Sequence, residues 1–276
     1  MLEEPTQVER WRQKPRKVEM NQSGAHPRAQ KEDLLVRVLG WRGTLLHSDS
    51  AVTDRWRFVR THLQPGSLRT LDAGCGSGGF TMYAAKIGNR ALGLSFDEEN
   101  NKKAIRRAAL LRLDSVEFRN VDLRELDCLA EPLGKFDQVM CLECIEHIEN
   151  DQKLVRDLAA LLKPAGILIL TAPAYYGEAM SSTEDGGHVR WGYTHGELRD
   201  MLTKAGMTIV AVDFISGFVT QKLASFRLRS LAVLPPAFAW AFSFLLRPLN
   251  ILDKPLTSLL KYPYLAVGVV ATKSPG

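Results

Sequence analysis

The sequence is poor in cysteine, with only Cys75, Cys128, Cys141 and Cys144 among 276 residues. So few cysteines cannot form the disulfide framework that replaces a core in small secreted proteins, and a hydrophobic core is expected instead. Cys141 and Cys144 form a single C-x-x-C pair, whereas a structural zinc site of this kind needs a second pair. We therefore expect free cysteines rather than a redox or zinc centre.

Long apolar segments are also absent. The first residues, MLEEPTQVER, contain no apolar run that a secretory signal would need, so we expect a cytoplasmic protein. The uncharged stretch at 231–246 is shorter than the roughly 20 residues of a membrane-spanning helix, and Pro235 and Pro236 interrupt it. A spanning segment is therefore not expected.

Acidic residues are few in two segments of a chain whose formal net charge is +5. Residues 10–17 are rich in Arg and Lys, and residues 214–252 contain no Asp or Glu. Neither segment resembles a nucleic-acid-binding motif, so no nucleic-acid partner is expected. Residues 1–32 are polar and interrupted by proline, which predicts a mobile basic arm before a single domain at 33–276.

Within that domain, short apolar strands alternate with amphipathic helices. This alternation predicts an α/β fold with a doubly wound, mostly parallel, Rossmann-like sheet. The helix that begins at 151 is predicted to end at Lys163, before Pro164 and Gly166. Residues 217–263 form an apolar helical insertion before the last strand. The seven predicted strands are residues 67–73, 90–95, 115–122, 136–143, 167–173, 207–214 and 264–273.

A glycine-rich turn follows the first strand, in the sequence LDAGCGSGGFT at 71–81. Gly74, Gly76 and Gly78 can adopt positive φ and leave the main chain open to a ligand. Gly74, Gly76 and Gly79 also satisfy the dinucleotide pattern G-x-G-x-x-G. The turn alone therefore leaves open a nucleoside cofactor, a dinucleotide and a turn without a ligand.

Together with later segments, the turn resembles the first motif of the class I S-adenosylmethionine-dependent methyltransferases. In that family an acid stands two residues before the first glycine, as Asp72 does here. The resemblance covers about residues 40–275. It continues in VDL at 121–123, in FDQVMCLECIEHI at 136–148 and in GHVRWGYTHGELRDMLTKAGM at 187–207. It implies S-adenosyl-L-methionine as cofactor and methyl transfer to a small acceptor.

The resemblance also implies a role for each matching residue. The turn would contact the methionine and ribose of the cofactor, and Asp72 its amino group, directly or through water. Asp122 would receive the adenine amino group. The residues implied to bind the cofactor are Asp72, Gly74, Cys75, Gly76, Gly78, Ser95, Phe96, Asn100, Asp122, Leu123, Leu142 and Glu143.

One departure from the family lies at the end of the second strand. Many relatives have an acid there that holds both ribose hydroxyls, whereas this chain has Ser95. Cyclopropane fatty acid synthases have a hydroxyl residue at this place and an amide five positions later, where Asn100 stands. Ser95 and Asn100 are therefore implied for the ribose and Phe96 for the adenine, with Asp97 as the alternative. The missing acid also argues against an NAD-dependent oxidoreductase, the main rival function.

The segment E-x-x-E-H, formed by Glu143, Glu146 and His147, resembles ubiquinone-type and small-RNA methyltransferases that hold a divalent ion. His188 falls where a later histidine completes that site. Metal-free relatives carry the same letters, with Glu146 capping the next helix and His147 packed beneath it. We favour the metal-free interpretation, in which His147 and His188 are candidate catalytic bases for a hydroxyl acceptor.

Two segments bear on the acceptor. Tyr175, Tyr176, Trp191 and Tyr193 suit a flat or apolar molecule, or pack a lid. The 217–263 insertion is expected to be a helical cap or dimer contact, with peripheral membrane contact as the alternative. We therefore expect a small, lipophilic acceptor, methylated on oxygen rather than carbon or nitrogen. A non-catalytic nucleotide-binding protein is a further alternative.

Overall fold

The computed structural model describes residues 34–46, 50–175, 188–233 and 245–274. The predicted arm at 1–32, Tyr176 and residues 234–244 of the insertion lie outside these ranges. The strands are β1 Arg69–Ala73, β2 Arg90–Ser95, β3 Val116–Asn120, β4 Phe136–Leu142, β5 Leu162–Pro173, β6 Met207–Ile215 and β7 Ala266–Lys273.

Helices of eight residues or more follow most strands in the described part of the chain. They are α1 Ser50–His62, α2 Gly79–Lys86, α3 Glu98–Leu110, α4 Asp151–Leu161, α5 His195–Lys204, α6 Phe218–Val233 and α7 Asp253–Leu260. Shorter helical turns lie at Gly40–Arg42, Gly43–Leu46, Leu123–Leu129, Ala130–Leu133, Ile145–His147 and Arg247–Leu252. No helix among the described residues is long and apolar enough to cross a membrane.

The strands form one seven-stranded sheet in the order β3-β2-β1-β4-β5-β7-β6. The pairs from β3 through β5 are parallel, and β7 runs antiparallel to both β5 and β6. The predicted doubly wound, mostly parallel sheet is thereby confirmed. The chain builds outward from β1 to β3 and then returns to place β4 on the other side of β1. Such a reversal of strand order opens a crevice at the carboxyl ends of the strands.

Helices cover both faces of the central strands. On one face Leu158 of α4 and Leu198 of α5 belong to the largest buried cluster. On the other face Phe58 of α1 and Tyr83 of α2 pack against Met140 of β4. This double burial explains why β4 and β5 are almost continuously apolar, and why a sequence pattern could locate them.

The predicted end of α4 is wrong. The helix ends at Leu161, and Leu162 already pairs with Phe136 as the first residue of β5. The turn that Pro164 and Gly166 indicated is present inside the long strand, where Ala165 has a positive φ of 59°. Pairing with β4 therefore decides the boundary, rather than the local helix-stop residues.

Candidate active site

A cavity of about 480 Å³ lies at the carboxyl ends of β1, β2 and β4, where the strand order reverses. Its wall is contributed by the turn after β1, the end of β2 and the segments that follow β3 and β4. The lining residues are Gly74, Gly76, Ser95, Phe96, Asp97, Asn100, Asp122, Leu123, Arg124, Glu143, Cys144, His147 and Ile148.

The glycines of the turn serve different purposes. Gly76 has a φ of +51° and no atom within 4 Å of the position of a Cβ, so its main chain borders open space. Gly78 has a φ of +79°, but a Cβ there would lie 2.6 Å from the ring of Phe118. Gly78 is therefore required by packing against β3. Gly78 does not line the cavity, and its contact with a ligand stays a prediction.

Asp72, Cys75 and Leu142 also lie outside the cavity wall. Asp72 is only 2% exposed, and its carboxylate accepts a hydrogen bond of 2.6 Å from Oγ1 of Thr81. Burial raises the pKa of Asp72 to about 6, although the hydrogen bond from Thr81 opposes the rise. Burial also raises the pKa of the Cys75 thiol. Leu142 belongs to a buried apolar cluster and does not line the cavity, so its contact with a ligand stays a prediction.

The residues predicted for the ribose form one hydrogen-bonded cluster. β2 ends at Ser95 as predicted, and Oγ of Ser95 accepts from the amide of Asp97 at 3.3 Å. Asp97 caps α3 by accepting from the amides of Glu99 and Asn100, and Nδ2 of Asn100 donates to the Asp97 carboxylate at 2.7 Å. The sequence pattern offers Asp97 as an alternative to the Ser95–Asn100 pair, and all three residues line the cavity. Phe96 is 78% exposed at its rim.

Asp122 follows β3 and begins a helical turn. Its carboxylate accepts from the amide of Arg124 at 2.9 Å and is paired with the Arg124 guanidinium. Hydrogen bonding from Arg124 lowers the pKa of Asp122, so the carboxylate is ionised at neutral pH. Leu123 lines the cavity beside it, as predicted for a residue flanking adenine. The sequence analysis did not predict Arg124 in the cavity wall. Its position two residues after Asp122 is a sequence signal for such an ion pair.

Of the four residues that the sequence offers for a metal site, three lie close together and Glu143 does not join them. Ligand atoms of Glu146, His147 and His188 lie within 4.8 Å of one another, and the two imidazole rings are 4.7 Å apart. Glu143 instead forms an ion pair of 3.2 Å with Arg55 of α1. Its inclusion in the set is therefore corrected. Sequence patterns could not anticipate this, because Arg55 comes from a distant helix.

Glu146 is the least solvated acid of this group. It is 1% exposed, and Oε2 has no hydrogen-bond partner among the residues that the structure describes. Burial, and then repulsion from Glu143, raise the pKa of Glu146 to about 8, while Arg55 opposes the rise. Asn150 caps α4, so Glu146 does not have the helix-capping role considered for it. One carboxylate and two imidazoles are a donor set that divalent transition metals accept.

The segment that begins at His188 is hydrogen-bonded to the main chain of Glu146. The main-chain oxygen of Glu146 accepts from the amides of Val189 and Arg190 at 3.0 and 3.2 Å. Tyr193 is 1% exposed and donates to Asp151 at 3.0 Å, so it packs in the core and cannot contact an acceptor. Trp191 is 50% exposed, so its side chain is accessible to a ligand.

The turn after β1, the end of β2 and the segments after β3 and β4 lie within the range of a known domain. Residues 71–170 match a family model described as a methyltransferase domain. The ubiquinone biosynthesis O-methyltransferase of Xanthomonas axonopodis pv. citri is 32% identical over 137 residues, which are 47% of this chain and 55% of the relative. The chain thus spans about half the length of the curated relatives that it matches.

Solved structures support the fold. Phosphoethanolamine N-methyltransferase 2 of Haemonchus contortus, in complex with S-adenosyl-L-methionine, aligns with a TM-score of 0.57 at 19% identity over 80% of this chain and 52% of that chain. The [4+2]-cyclase SpnF aligns with a TM-score of 0.56 at 21% identity over 82% of each chain. Since these two proteins are named for different reactions, the shared fold alone does not fix the reaction.

The raised pKa of Asp72 predicts a pH-dependent stability. Because the pKa is about 6 in the folded state and near 3.8 in the unfolded state, the favourable contribution is complete below about pH 4. It is lost as the pH rises through 6. Asp72→Asn keeps an acceptor for Thr81 and removes the buried charge. We expect the ligand-free variant to melt a few degrees higher than the original chain at pH 7.5, with a smaller difference at pH 5.

Thermal unfolding at both pH values tests this expectation. Asp114→Asn, at an exposed loop position, is the matched control and should leave both melting temperatures unchanged. A variant of Asp72 that is less stable than the original chain at pH 7.5 would contradict the assignment.

Proposed function

We propose that this chain is a class I S-adenosylmethionine-dependent methyltransferase that transfers the cofactor's methyl group to a small, lipophilic acceptor, because residues 71–170 match a methyltransferase domain. An acceptor oxygen is favoured over carbon or nitrogen, because the curated relative from Xanthomonas axonopodis is an O-methyltransferase. One observation carries the proposal: the open main chain of Gly76 and the Ser95–Asp97–Asn100 cluster border the same cavity.

The donors and acceptors of this cavity match the parts of a nucleoside. Ser95, Asp97 and Asn100 offer hydroxyl, carboxylate and amide groups to the ribose hydroxyls. Asp122 offers a carboxylate to the adenine amino group, and Leu123 an apolar side chain to its ring. The methionine end then lies towards the turn after β1, with Asp72 beneath it as a buried acid for the amino group. This arrangement supports the binding roles assigned to these residues.

Methyl transfer from a sulfonium is an in-line displacement, so close and aligned placement of the acceptor supplies much of the acceleration. An acceptor hydroxyl must also lose its proton. His147 lines the cavity and His188 contacts its ring, so we assign His147 as the base that receives the proton and His188 as the residue that positions it. Glu146, His147 and His188 would also be the residues to hold a divalent ion, which would polarise the acceptor oxygen; the metal-free reaction is favoured.

The acceptor itself would approach from the edge that Tyr175 and Trp191 share with the cavity. Tyr175 is 36% exposed and Trp191 50% exposed, which leaves apolar surface for a lipophilic molecule. In the same proposal the 217–263 insertion makes a peripheral contact with a membrane, from which such an acceptor is supplied. An NAD-dependent oxidoreductase is not favoured, because the named relatives are methyltransferases.

Replacement of Gly76 tests cofactor binding. Gly76→Leu would place a side chain in the open space of the cavity. We expect its Kd for S-adenosylmethionine, measured by isothermal titration, to be at least about 100-fold weaker than that of the original chain. Gly206→Leu is the matched control, because Gly206 has a φ of +75°, no atom within 4 Å of its Cβ position and a place outside the cavity wall.

The control should bind S-adenosylmethionine as the original chain does, and NAD should give no heat with any of the three proteins. Unaltered binding by Gly76→Leu would place the cofactor elsewhere. Heat with NAD, and none with S-adenosylmethionine or S-adenosylhomocysteine, would overturn the proposed function.

Replacement of His147 tests the base. With a panel of phenols that differ in alkyl chain length as acceptors, we expect His147→Ala to lower kcat by about 10²- to 10⁴-fold. The Kd for S-adenosylmethionine should change little. His62→Ala, on α1 and outside this cavity, is the control. Activity of the original chain should survive a chelator; loss that Zn²⁺ or Mn²⁺ restores would contradict the metal-free reaction.

A further inference from the structure

The described part of the 217–263 insertion exposes eight large apolar side chains. Their exposed fractions range from 42% to 80%, whereas burial of a single Leu or Ile side chain is favourable. A monomer seldom leaves so many apolar side chains in water on one part of its surface. We call the following residues the insertion surface: Phe226, Leu228, Leu245, Leu249, Ile251, Leu252, Leu259 and Leu260.

These side chains belong to elements that pack on one another. α6 contacts both α7 and the helical turn Arg247–Leu252. Asp253, at the start of α7, accepts from the amides of Gly217 and Thr220 at 2.7 and 2.8 Å, and Thr257 accepts from Phe218 at 2.8 Å. Asp253 and Thr257 are almost fully buried. Buried hydrogen bonds therefore hold together the elements that carry the insertion surface.

Cations predominate among the charges beside the insertion surface, because the preceding acid, Asp213, is paired with Lys254 of α7 at 2.6 Å. Residues 214–252 contain no Asp or Glu, and the next acid, Asp253, is buried and satisfied by main-chain amides. Lys222 and Arg229 of α6 and Lys261 after α7 are exposed. Exposed apolar side chains with flanking cations complement the acyl chains and anionic head groups of a lipid surface.

The insertion begins at the edge of the sheet that contains the candidate active site. β5 and β6 both run antiparallel to β7, so β6 is parallel to β5 and ends at the same edge. The amide of Leu265, at the end of the insertion, donates to the oxygen of Ser216, which follows β6. The insertion therefore starts at the sheet edge on which the cavity opens.

We propose that the insertion surface docks this chain on an anionic lipid surface, with its apolar side chains among the acyl chains and Lys222, Arg229 and Lys261 at the head groups. The supply of a lipophilic acceptor by that surface rests on the proposed function. The docking itself does not require methyl transfer.

Co-sedimentation of the full chain with vesicles tests the docking. One set contains phosphatidylcholine alone, and the other contains about 30% phosphatidylglycerol in addition, which supplies the anionic surface. We expect binding to the anionic vesicles at low salt and several-fold weaker binding at high salt, because salt screens the cations. The measurement needs neither cofactor nor acceptor.

Two variants separate the apolar and the cationic contributions. Ile251→Ser with Leu259→Ser should weaken vesicle binding at least tenfold, because these are two of the most exposed side chains of the insertion surface. Lys222→Gln with Arg229→Gln should remove most of the salt dependence. Val38→Ser is the control, since Val38 is 72% exposed but lies outside the insertion, and it should bind as the original chain does.

S-adenosylmethionine binding is measured on the same preparations. Cofactor binding without vesicle binding would overturn the docking and leave the proposed function intact, and the reverse would support docking while defeating the proposed function. Equal binding to neutral and anionic vesicles would contradict the proposed preference for an anionic lipid surface. A dimer in sedimentation velocity that Ile251→Ser with Leu259→Ser dissociates, without vesicle binding, would assign the insertion surface to a second copy of the chain and overturn the proposal.

Discussion

The reversal of strand order beside β1 is the constraint on which the site depends. Because β1 and β4 are neighbours whose following segments run in opposite directions across the sheet, a crevice opens at their carboxyl ends. Elsewhere the central strands are buried on both faces and must be apolar. The polar side chains of the site gather at the carboxyl ends of these strands, where the cavity lies.

The same constraint accounts for the electrostatics. Asp72 and Glu146 follow or end central strands but are withdrawn from water, so burial raises the pKa of both carboxyl groups. A buried acid of this kind is stabilised in its charged form by a nearby cation. S-adenosylmethionine carries an ammonium and a sulfonium, whereas NAD offers phosphates. The desolvated acids therefore suit S-adenosylmethionine better than NAD. Near Glu146, Arg55 already supplies a cation from the protein, which is paired with Glu143.

Sequence patterns predicted the strands because double burial leaves long apolar runs, and they located the glycine turn because positive φ favours glycine. They could not separate Gly76, which borders the cavity, from Gly78, which packs on Phe118, since that difference depends on a strand contributed later in the chain. They did not predict Cys144 in the cavity wall, because its place there depends on how the segment after β4 packs beside Gly74. The E-x-x-E-H segment was correctly placed beside the cavity, but the pairing of Glu143 with Arg55 depends on how α1 packs.

Hydrogen–deuterium exchange of the full chain, with and without S-adenosylhomocysteine, tests the central claim most directly, namely that the cofactor occupies the crevice made by the strand reversal. We expect slower exchange in peptides that cover residues 74–79, 95–100 and 121–124, and no change in β6 or α7. Protection confined to β6, α1 and α7, with none in the turn after β1, would contradict the account.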